Sequence, residues 1–185
     1  EYWLQKGSDD LHAFLRATPD AFTITQRAEL NFSNQDVHVG DAHITGMLDL
    51  TDINATDKTI IVTDYKTGKP VNGTGSMSEY DKIKLHKYRQ QVLFYKLLVE
   101  GSRDYSSYSV SEGRIQFIEP TKDGQILRYD VACTDEELER TINLIQAVWA
   151  RIISLDLPPI DQYEPTLKGI LQFEDDLIAA YTSVD

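Results

Sequence analysis

The sequence predicts an α/β domain in which helices flank a mixed central β-sheet. Runs rich in β-branched and aromatic residues recur along the chain, as in 59–67. Two longer stretches, 78–100 and 134–154, contain good helix formers and no Pro or Gly. The resulting order of helix, three strands, helix, strands and helix is that of a layered mixed sheet. A chain of 185 residues is expected to form one domain, 1–185.

The N-terminal elements are predicted from caps and alternation. Ser8 is a favoured helix cap, so a short helix is expected over 8–16. Strands are expected over 22–32, 43–51 and 59–67, and the polar loop 55–58 makes the last two a hairpin.

The C-terminal elements follow from turn and cap signals. Two strands, 114–118 and 125–131, flank a turn that contains Gly124. Thr134 and Glu137 have the spacing of a capping box, which opens a helix to about residue 154 with an apolar core stripe that ends at Ile152. A short terminal helix is expected over 173–181.

The hairpin register predicts a cluster of charged side chains. If Asn54 pairs with Thr59, the antiparallel register places Asp49 opposite Asp64, with their Cβ atoms about 5 Å apart. Lys66 is two residues further along the strand and shares the face of Asp64. The alternation sends four residues to the other face: Leu48, Leu50, Ile61 and Tyr65.

Such a cluster is suited to a hard divalent cation. Two close carboxylates repel unless a cation lies between them, and Mg²⁺ or Mn²⁺ prefers oxygen ligands. Lys66 could then position a water or stabilise charge that develops on a phosphate. The alternative is that these are ordinary polar residues on a strand, since an Asp-x-Lys triplet is common by chance.

The order of three motifs resembles a known nuclease family. Gly46-x-x-Asp49, then Asp64-Tyr65-Lys66-Thr67-Gly68, then Gln91-x-x-x-Tyr95 is similar to the RecB-type nuclease domains of the PD-(D/E)XK superfamily. Those domains occur at the C-termini of UvrD-type helicases and in helicase-nuclease complexes that process double-strand breaks. The resemblance spans about 29–99, and more loosely extends to 158 and beyond. It implies a restriction-endonuclease-like core.

The resemblance also implies roles for individual residues. Asp49 and Asp64 correspond to metal ligands, and the backbone carbonyl of Tyr65 to a third. Lys66 corresponds to the catalytic lysine. Mg²⁺ or Mn²⁺ is therefore the expected cofactor.

DNA binding is expected along the helix over 78–100. Gln91 and Tyr95 match the helix motif that lines the site and meets the DNA backbone in the family. The chain carries a formal net charge of −12, yet the stretch 66–96 contains seven basic and two acidic residues. Lys84, Lys87 and Arg89 in that stretch are expected to contact phosphates. The alternative is a solvated helix face, which charge runs commonly form.

Two further residues are candidate accessory ligands. Glu29 resembles the acid that often precedes the first core strand, although on structure alone a solvated strand residue is the better explanation. The family usually has a metal-binding His or Glu on a helix further upstream, and the sole histidine before Glu29 is His12. The chain begins with Glu1 rather than Met, so it is expected to be excised from a longer helicase-nuclease polypeptide.

Composition excludes several other classes. The sequence has no signal peptide and no apolar run near 18 residues, so no membrane contact and a cytoplasmic location are expected. The single cysteine, Cys133, cannot form an internal disulfide or supply the four ligands of an iron-sulfur cluster.

The sequence therefore predicts an Mg²⁺-dependent deoxyribonuclease domain that acts in DNA repair or recombination and is attached to an ATP-dependent helicase. The helicase motor is expected either in the same polypeptide or as a partner subunit. The isolated fragment is expected to be weakly active or inactive. The alternative is a catalytically silent, nuclease-like module that binds DNA or braces the helicase.

Overall fold

The computed structural model describes residues 1–71 and 77–183. The helices in these ranges are α1 Tyr2–Ala17, α2 Glu79–Gly101, α3 Asp135–Ser154 and α4 Leu167–Thr182. The strands are β1 Gln26–Asn31, β2 Val37–Val39, β3 Ala42–Ile44, β4 Met47–Asn54, β5 Thr59–Lys66, β6 Ser109–Phe117 and β7 Arg128–Val131. Across these two ranges, no helix is long and apolar enough to cross a membrane.

The described part of the chain contains a five-stranded mixed sheet in the order β1-β4-β5-β6-β7. Strands β5 and β6 are parallel, whereas the other neighbours in this sheet are antiparallel. Parallel neighbours need a crossover connection, and helix α2 provides it. Helix α2 packs in the main core, while the ring of Phe14 in α1 contacts that of Tyr65 at a centroid distance of 6.0 Å. The predicted mixed sheet flanked by helices is confirmed.

The predicted hairpin register is confirmed over the length of its ladder. Asn54 pairs with Thr59, and the pairing runs without a shift to Leu50 and Thr63. The ladder ends there, one step before the predicted Asp49 pair. Beyond that point no backbone pair joins β4 to β5 in the described residues, so strict alternation need not continue.

Leu48 departs from the predicted alternation. Leu50 and Tyr65 line a cavity with Phe14 of α1, as the alternation predicts for that face. Leu48 is instead fully buried in the core cluster that includes residues of α2. The prediction for Leu48 is therefore wrong. The ladder of β1 with β4 pairs Leu50 and Leu48 but skips the step between them, where Asp49 lies opposite Glu29 and Glu29 has a positive φ of 53°. The regular alternation is interrupted at this step.

The predicted single strand over 43–51 is wrong, because this stretch forms parts of two strands in two different sheets. Strand β3 pairs with β2 in a separate two-stranded sheet, and β4 begins at Met47. Gly46, between them, lies so close to α2 that an added Cβ would be 2.7 Å from a methyl group of Leu98. This close approach turns the chain from the small hairpin into the main sheet.

Several element boundaries also differ from the prediction. Helix α1 begins at Tyr2, and Ser8 lies within it, because Gln5 and Lys6 bond Asp9 and Asp10 one turn later and extend the helix across Gly7. Strand β1 begins only at Gln26, whose side chain and N–H close a turn with Thr23.

The C-terminal half follows the prediction more closely. The capping box of Thr134 and Glu137 is present at the start of α3, and Gly124 lies in the turn before β7 with a φ of 77°. Trp149 packs against the core, whereas Ile152, predicted as a core residue, is 50% exposed because α3 extends past the body of the domain at its end. Helix α4 begins earlier than predicted, because the side chain of Thr166 caps its start by accepting a hydrogen bond from the Gly169 N–H.

A buried polar cluster ties α2 to α3 and α4. Glu174 is only 6% exposed. Its carboxylate accepts hydrogen bonds from Gln90 at 2.8 Å and Arg140 at 3.1 Å and lies 2.8 Å from the His86 ring. Burial alone would raise the pKa of Glu174, but these partners lower it below its ordinary value. The cluster fixes the helix that carries Gln91 and Tyr95.

Candidate functional site

Asp64 lies at the end of β5 and is the most buried acid of the site, with 2% exposure. Its Oδ1 accepts a hydrogen bond of 2.9 Å from the hydroxyl of Tyr95 in α2. Its Oδ2 lies 2.5 Å from Nζ of Lys66, but it accepts no hydrogen bond from the residues that the structure describes. One oxygen of a buried carboxylate is therefore compensated by charge alone.

Four side chains close a ring of polar contacts around this carboxylate. Lys66 Nζ donates to Gln91 Oε1 at 2.8 Å. Gln91 Nε2 donates to the hydroxyl of Tyr95 at 2.6 Å, and that hydroxyl donates to Asp64. The ring closes through the ion pair of Asp64 with Lys66. The structure thus brings together the four residues that the second and third sequence motifs predict.

Asp49 joins the same site from β4. Its Oδ2 accepts a hydrogen bond of 2.8 Å from the backbone N–H of Tyr65, the residue next to Asp64. This bond orients the carboxylate, and no described residue donates to its Oδ1. The negative charge of Asp49 contributes to raising the pKa of Asp64, so the two carboxylates act on one another.

The protonation states follow from burial. Burial raises the pKa of Asp64, and the adjacent ammonium of Lys66 and the hydrogen bond from Tyr95 oppose this only in part. Burial and the negative charge of Asp64 raise the pKa of Tyr95 strongly, so its hydroxyl remains a proton donor at neutral pH. The site holds excess negative charge in a poorly hydrated position, which a cation would relieve.

Tyr88 is a residue of the site that the sequence motifs did not identify. The ammonium of Lys66 lies 4.4 Å from the centre of the Tyr88 ring, within the range of a cation–π contact. Tyr88 precedes Gln91 by three residues and Tyr95 by seven, so it shares their face of α2. That helical spacing was a usable signal.

The predicted phosphate contacts occupy different positions on α2. Lys84 lies beside the site: it donates to the carbonyl of Lys69 at 2.9 Å and lies 5.8 Å from the centre of the Tyr88 ring. Lys87 is exposed on the same helix. Arg89 is also exposed, but it forms an ion pair with Glu137 of α3 and is not brought together with the other two.

The candidate accessory ligands do not meet this cluster. Glu29 is exposed on β1, the strand next to β4, in a left-handed backbone conformation. His12 is exposed on α1, and its Nδ1 lies 2.8 Å from the carbonyl oxygen of Ser8 in the same helix. Among the described residues, neither side chain forms a hydrogen bond or an ion pair with Asp49 or Asp64, although the register of β1 with β4 places Glu29 opposite Asp49.

The donor set of the site fits a hard divalent ion. Carboxylate oxygens of Asp49 and Asp64 face a common region, and one oxygen of Asp64 is buried without a hydrogen-bond donor in the described part of the chain. Oxygen-only sites of one or two carboxylates are typical of Mg²⁺ and Mn²⁺. The adjacent Lys66 completes a cluster of two acids and a lysine at the C-terminal end of β5, the central strand of the mixed sheet.

Comparison with protein families gives one match that covers most of the chain. The model of the family described as the PD-(D/E)XK nuclease superfamily matches residues 3–164. A comparison with curated proteins found no match.

Proposed function

Since the chain belongs to the PD-(D/E)XK nuclease superfamily, whose members use divalent metal ions, we propose that it hydrolyses phosphodiester bonds in DNA with Mg²⁺ or Mn²⁺. The observation that carries this proposal is the buried carboxylate of Asp64, which is held 2.5 Å from the ammonium of Lys66 and interacts with a second acid, Asp49. A stable protein has little reason to retain that arrangement unless it serves chemistry.

The metal would be held by the carboxylates of Asp49 and Asp64 and by the backbone carbonyl of Tyr65. A bound ion of this kind polarises a phosphoryl oxygen and lowers the pKa of its water. The hydrogen bond from Tyr65 N–H to Asp49 fixes one carboxylate, and the Tyr95 hydroxyl fixes the other. Both are therefore oriented before any ligand binds.

Lys66 is proposed as the catalytic lysine. Its ammonium is placed by three groups: the Asp64 carboxylate, the Gln91 amide oxygen and the Tyr88 ring. A positive charge held there would stabilise negative charge on a phosphate in the transition state. Gln91 and Tyr95 act as positioning residues, and Gln91 in addition lies where a DNA backbone would approach the lysine.

Lys84 and Lys87 are proposed to contact phosphates beside the site. Their position on α2, with Lys84 above the ring of Tyr88, extends the positive charge of Lys66 along the helix. Arg89 would reach DNA only by leaving Glu137, so its contribution to binding should be smaller. Glu29, which lies opposite Asp49 on the neighbouring strand, and His12 remain candidate accessory ligands in this proposal.

We further propose that the domain is part of a longer helicase-nuclease polypeptide that acts in DNA repair or recombination. The order and spacing of the three motifs support this context. Reading the codons upstream of Glu1 tests it: an ATP-dependent helicase motor is expected there. An unrelated upstream domain, or a start codon directly before Glu1, would contradict it.

A silent module that only binds DNA or braces a helicase is the second candidate, favoured by the observation that no hydrogen bond or ion pair joins Glu29 or His12 to the two acids among the described residues. Incubation of the complete gene product with linear DNA and Mn²⁺ separates the two proposals. Degradation that Lys66→Ala removes identifies a nuclease. DNA binding without any Lys66-dependent degradation identifies the silent module.

A further inference from the structure

The β2–β3 hairpin presents two histidines on its outer face. His38 and His43 are directly paired across the two strands, while their neighbours Val37, Val39 and Ala42 are buried beneath them. Alternation along each strand therefore directs both imidazoles outward. The rings stack with 4.9 Å between their centroids and 19° between their planes.

The scaffold under these histidines is firmly placed. Gly40 turns the hairpin with a φ of 57°, and a Cβ at this position would be 2.7 Å from the Gln146 side chain in α3. The turn therefore sits directly against that helix. The buried face of the hairpin belongs to the main core cluster. Two side chains on such a support are preorganised for a common ligand.

Asp36 adds a carboxylate to the pair. It precedes β2 in a left-handed conformation with a φ of 55°. The side chain of Gln35, the residue before it, is held by two hydrogen bonds. It donates to the Asp104 carboxylate at 2.8 Å and accepts from the Asp104 backbone N–H at 3.1 Å. The Asp36 Oδ1 then lies 3.1 Å from His38 Nε2 and 4.0 Å from His43 Nε2.

These separations are close to those that a metal ion requires. One ligand atom from each of the three residues lies within 4.8 Å of the others. Ligands about 2.0 to 2.1 Å from a tetrahedral Zn²⁺ are roughly 3.3 Å apart. Small side-chain rotations would close the remaining difference, and each side chain is free to make them because the Asp36 and His43 side chains are 83% and 51% exposed.

The donor chemistry differs from that of the nuclease site. Two imidazole nitrogens and one carboxylate suit Zn²⁺ and its late transition-metal neighbours, whereas Mg²⁺ prefers oxygen donors alone. We propose that Asp36, His38 and His43 form a Zn²⁺ site on the β2–β3 hairpin, separate from Asp49 and Asp64, with an open position for water. The ion would clamp the hairpin across its two strands.

The proposal is tested by Zn²⁺ titration of the whole chain, followed by calorimetry and by the melting temperature. The starting protein carries Asp64→Asn, so that the candidate nuclease site is disabled. One equivalent of Zn²⁺ should bind and raise the melting temperature. His38→Gln and His43→Gln should each weaken binding at least ~10-fold. His12→Gln, a matched change of another exposed histidine, should leave binding unchanged.

Two further measurements make the test independent of any single variant. Co²⁺ bound by the starting protein should give the intense visible bands of a four- or five-coordinate ion, and His43→Gln should remove them. The imidazole NMR signals of His38 and His43 should shift on addition of Zn²⁺. Absence of binding at submillimolar Zn²⁺, binding that survives both histidine changes, or unshifted His38 and His43 signals would each overturn the proposal.

Discussion

The hydroxyl of Tyr95 should control the pH at which the site can bind metal. In Tyr95→Phe, Asp64 Oδ1 loses its 2.9 Å donor while the ring that fills the core remains. A hydrogen bond to a charged group is worth about 1.5 to 3 kcal/mol. Because Asp64 is almost fully buried, no water replaces the lost donor. The proton affinity of Asp64 should therefore rise by a factor of about 10 to 100, since 1.36 kcal/mol corresponds to tenfold.

The sign of the effect on function follows from this change. The pKa of Asp64 is already raised by burial, and loss of the Tyr95 donor raises it further. The protonated, metal-free form then persists to higher pH. As the pH is lowered, Tyr95→Phe should therefore lose Mn²⁺ binding and DNA cleavage at a higher pH than the parent does. In alkaline solution the two proteins should have the same Mn²⁺ affinity and cleavage rate.

The assay is Mn²⁺ affinity and cleavage rate measured across the acidic range, with circular dichroism to verify the fold. Tyr88→Phe is the matched control, because it removes a hydroxyl from the same helix face without touching Asp64 and keeps the ring under Lys66. A Tyr95→Phe protein that folds normally and has the pH profile of the parent would refute the reasoning.

Three other predictions address stability and binding. Burial raises the pKa of Asp64, so the metal-free protein should lose stability as the pH rises from the ordinary Asp range through the folded pKa of Asp64. Asp64→Asn should therefore melt at a higher temperature than the metal-free parent at neutral pH, and Mn²⁺ should not change its melting temperature. The partners of Glu174 lower its pKa, so Glu174→Gln should reduce the free energy of unfolding in urea by about 3 kcal/mol at pH 7. The difference should disappear as the pH falls through the folded pKa of Glu174. The exposed ion pair of Arg140 with Asp175 should contribute less than about 1 kcal/mol. Lys87→Ala should reduce the slope of log affinity for DNA against log salt concentration by about one, the contribution of one phosphate contact. Lys122→Ala should not change this slope.

The parts of the fold that local signals specify were predictable from the sequence. The register of β4 with β5 follows from the loop that closes at Asn54 and Thr59, and the capping box of Thr134 marks the start of α3. The common face of Asp64 and Lys66 was predictable for the same reason, because the two residues lie two steps apart on one strand. That the helix motif would meet them was implied by the family resemblance and not by a local signal.

The remaining features depend on contacts between distant segments. The break at Gly46 exists because the chain meets α2 there, and Leu98 is more than 50 residues away. Glu29 leaves the regular strand conformation, and the ladder of β1 with β4 is interrupted at its step, which no local pattern predicts. Arg89 is directed to α3 by Glu137, which a charge count along α2 does not reveal.

The central claim is that Lys66 performs catalysis in a metal-dependent nuclease site. The most direct measurement is the degradation of linear DNA by the complete gene product in Mn²⁺, compared with Lys66→Ala and with Lys122→Ala as an exposed lysine outside the site. The account predicts that Lys66→Ala abolishes degradation while DNA binding persists, and that Lys122→Ala matches the parent. Equal degradation by the parent and Lys66→Ala, or none by the parent, would contradict it.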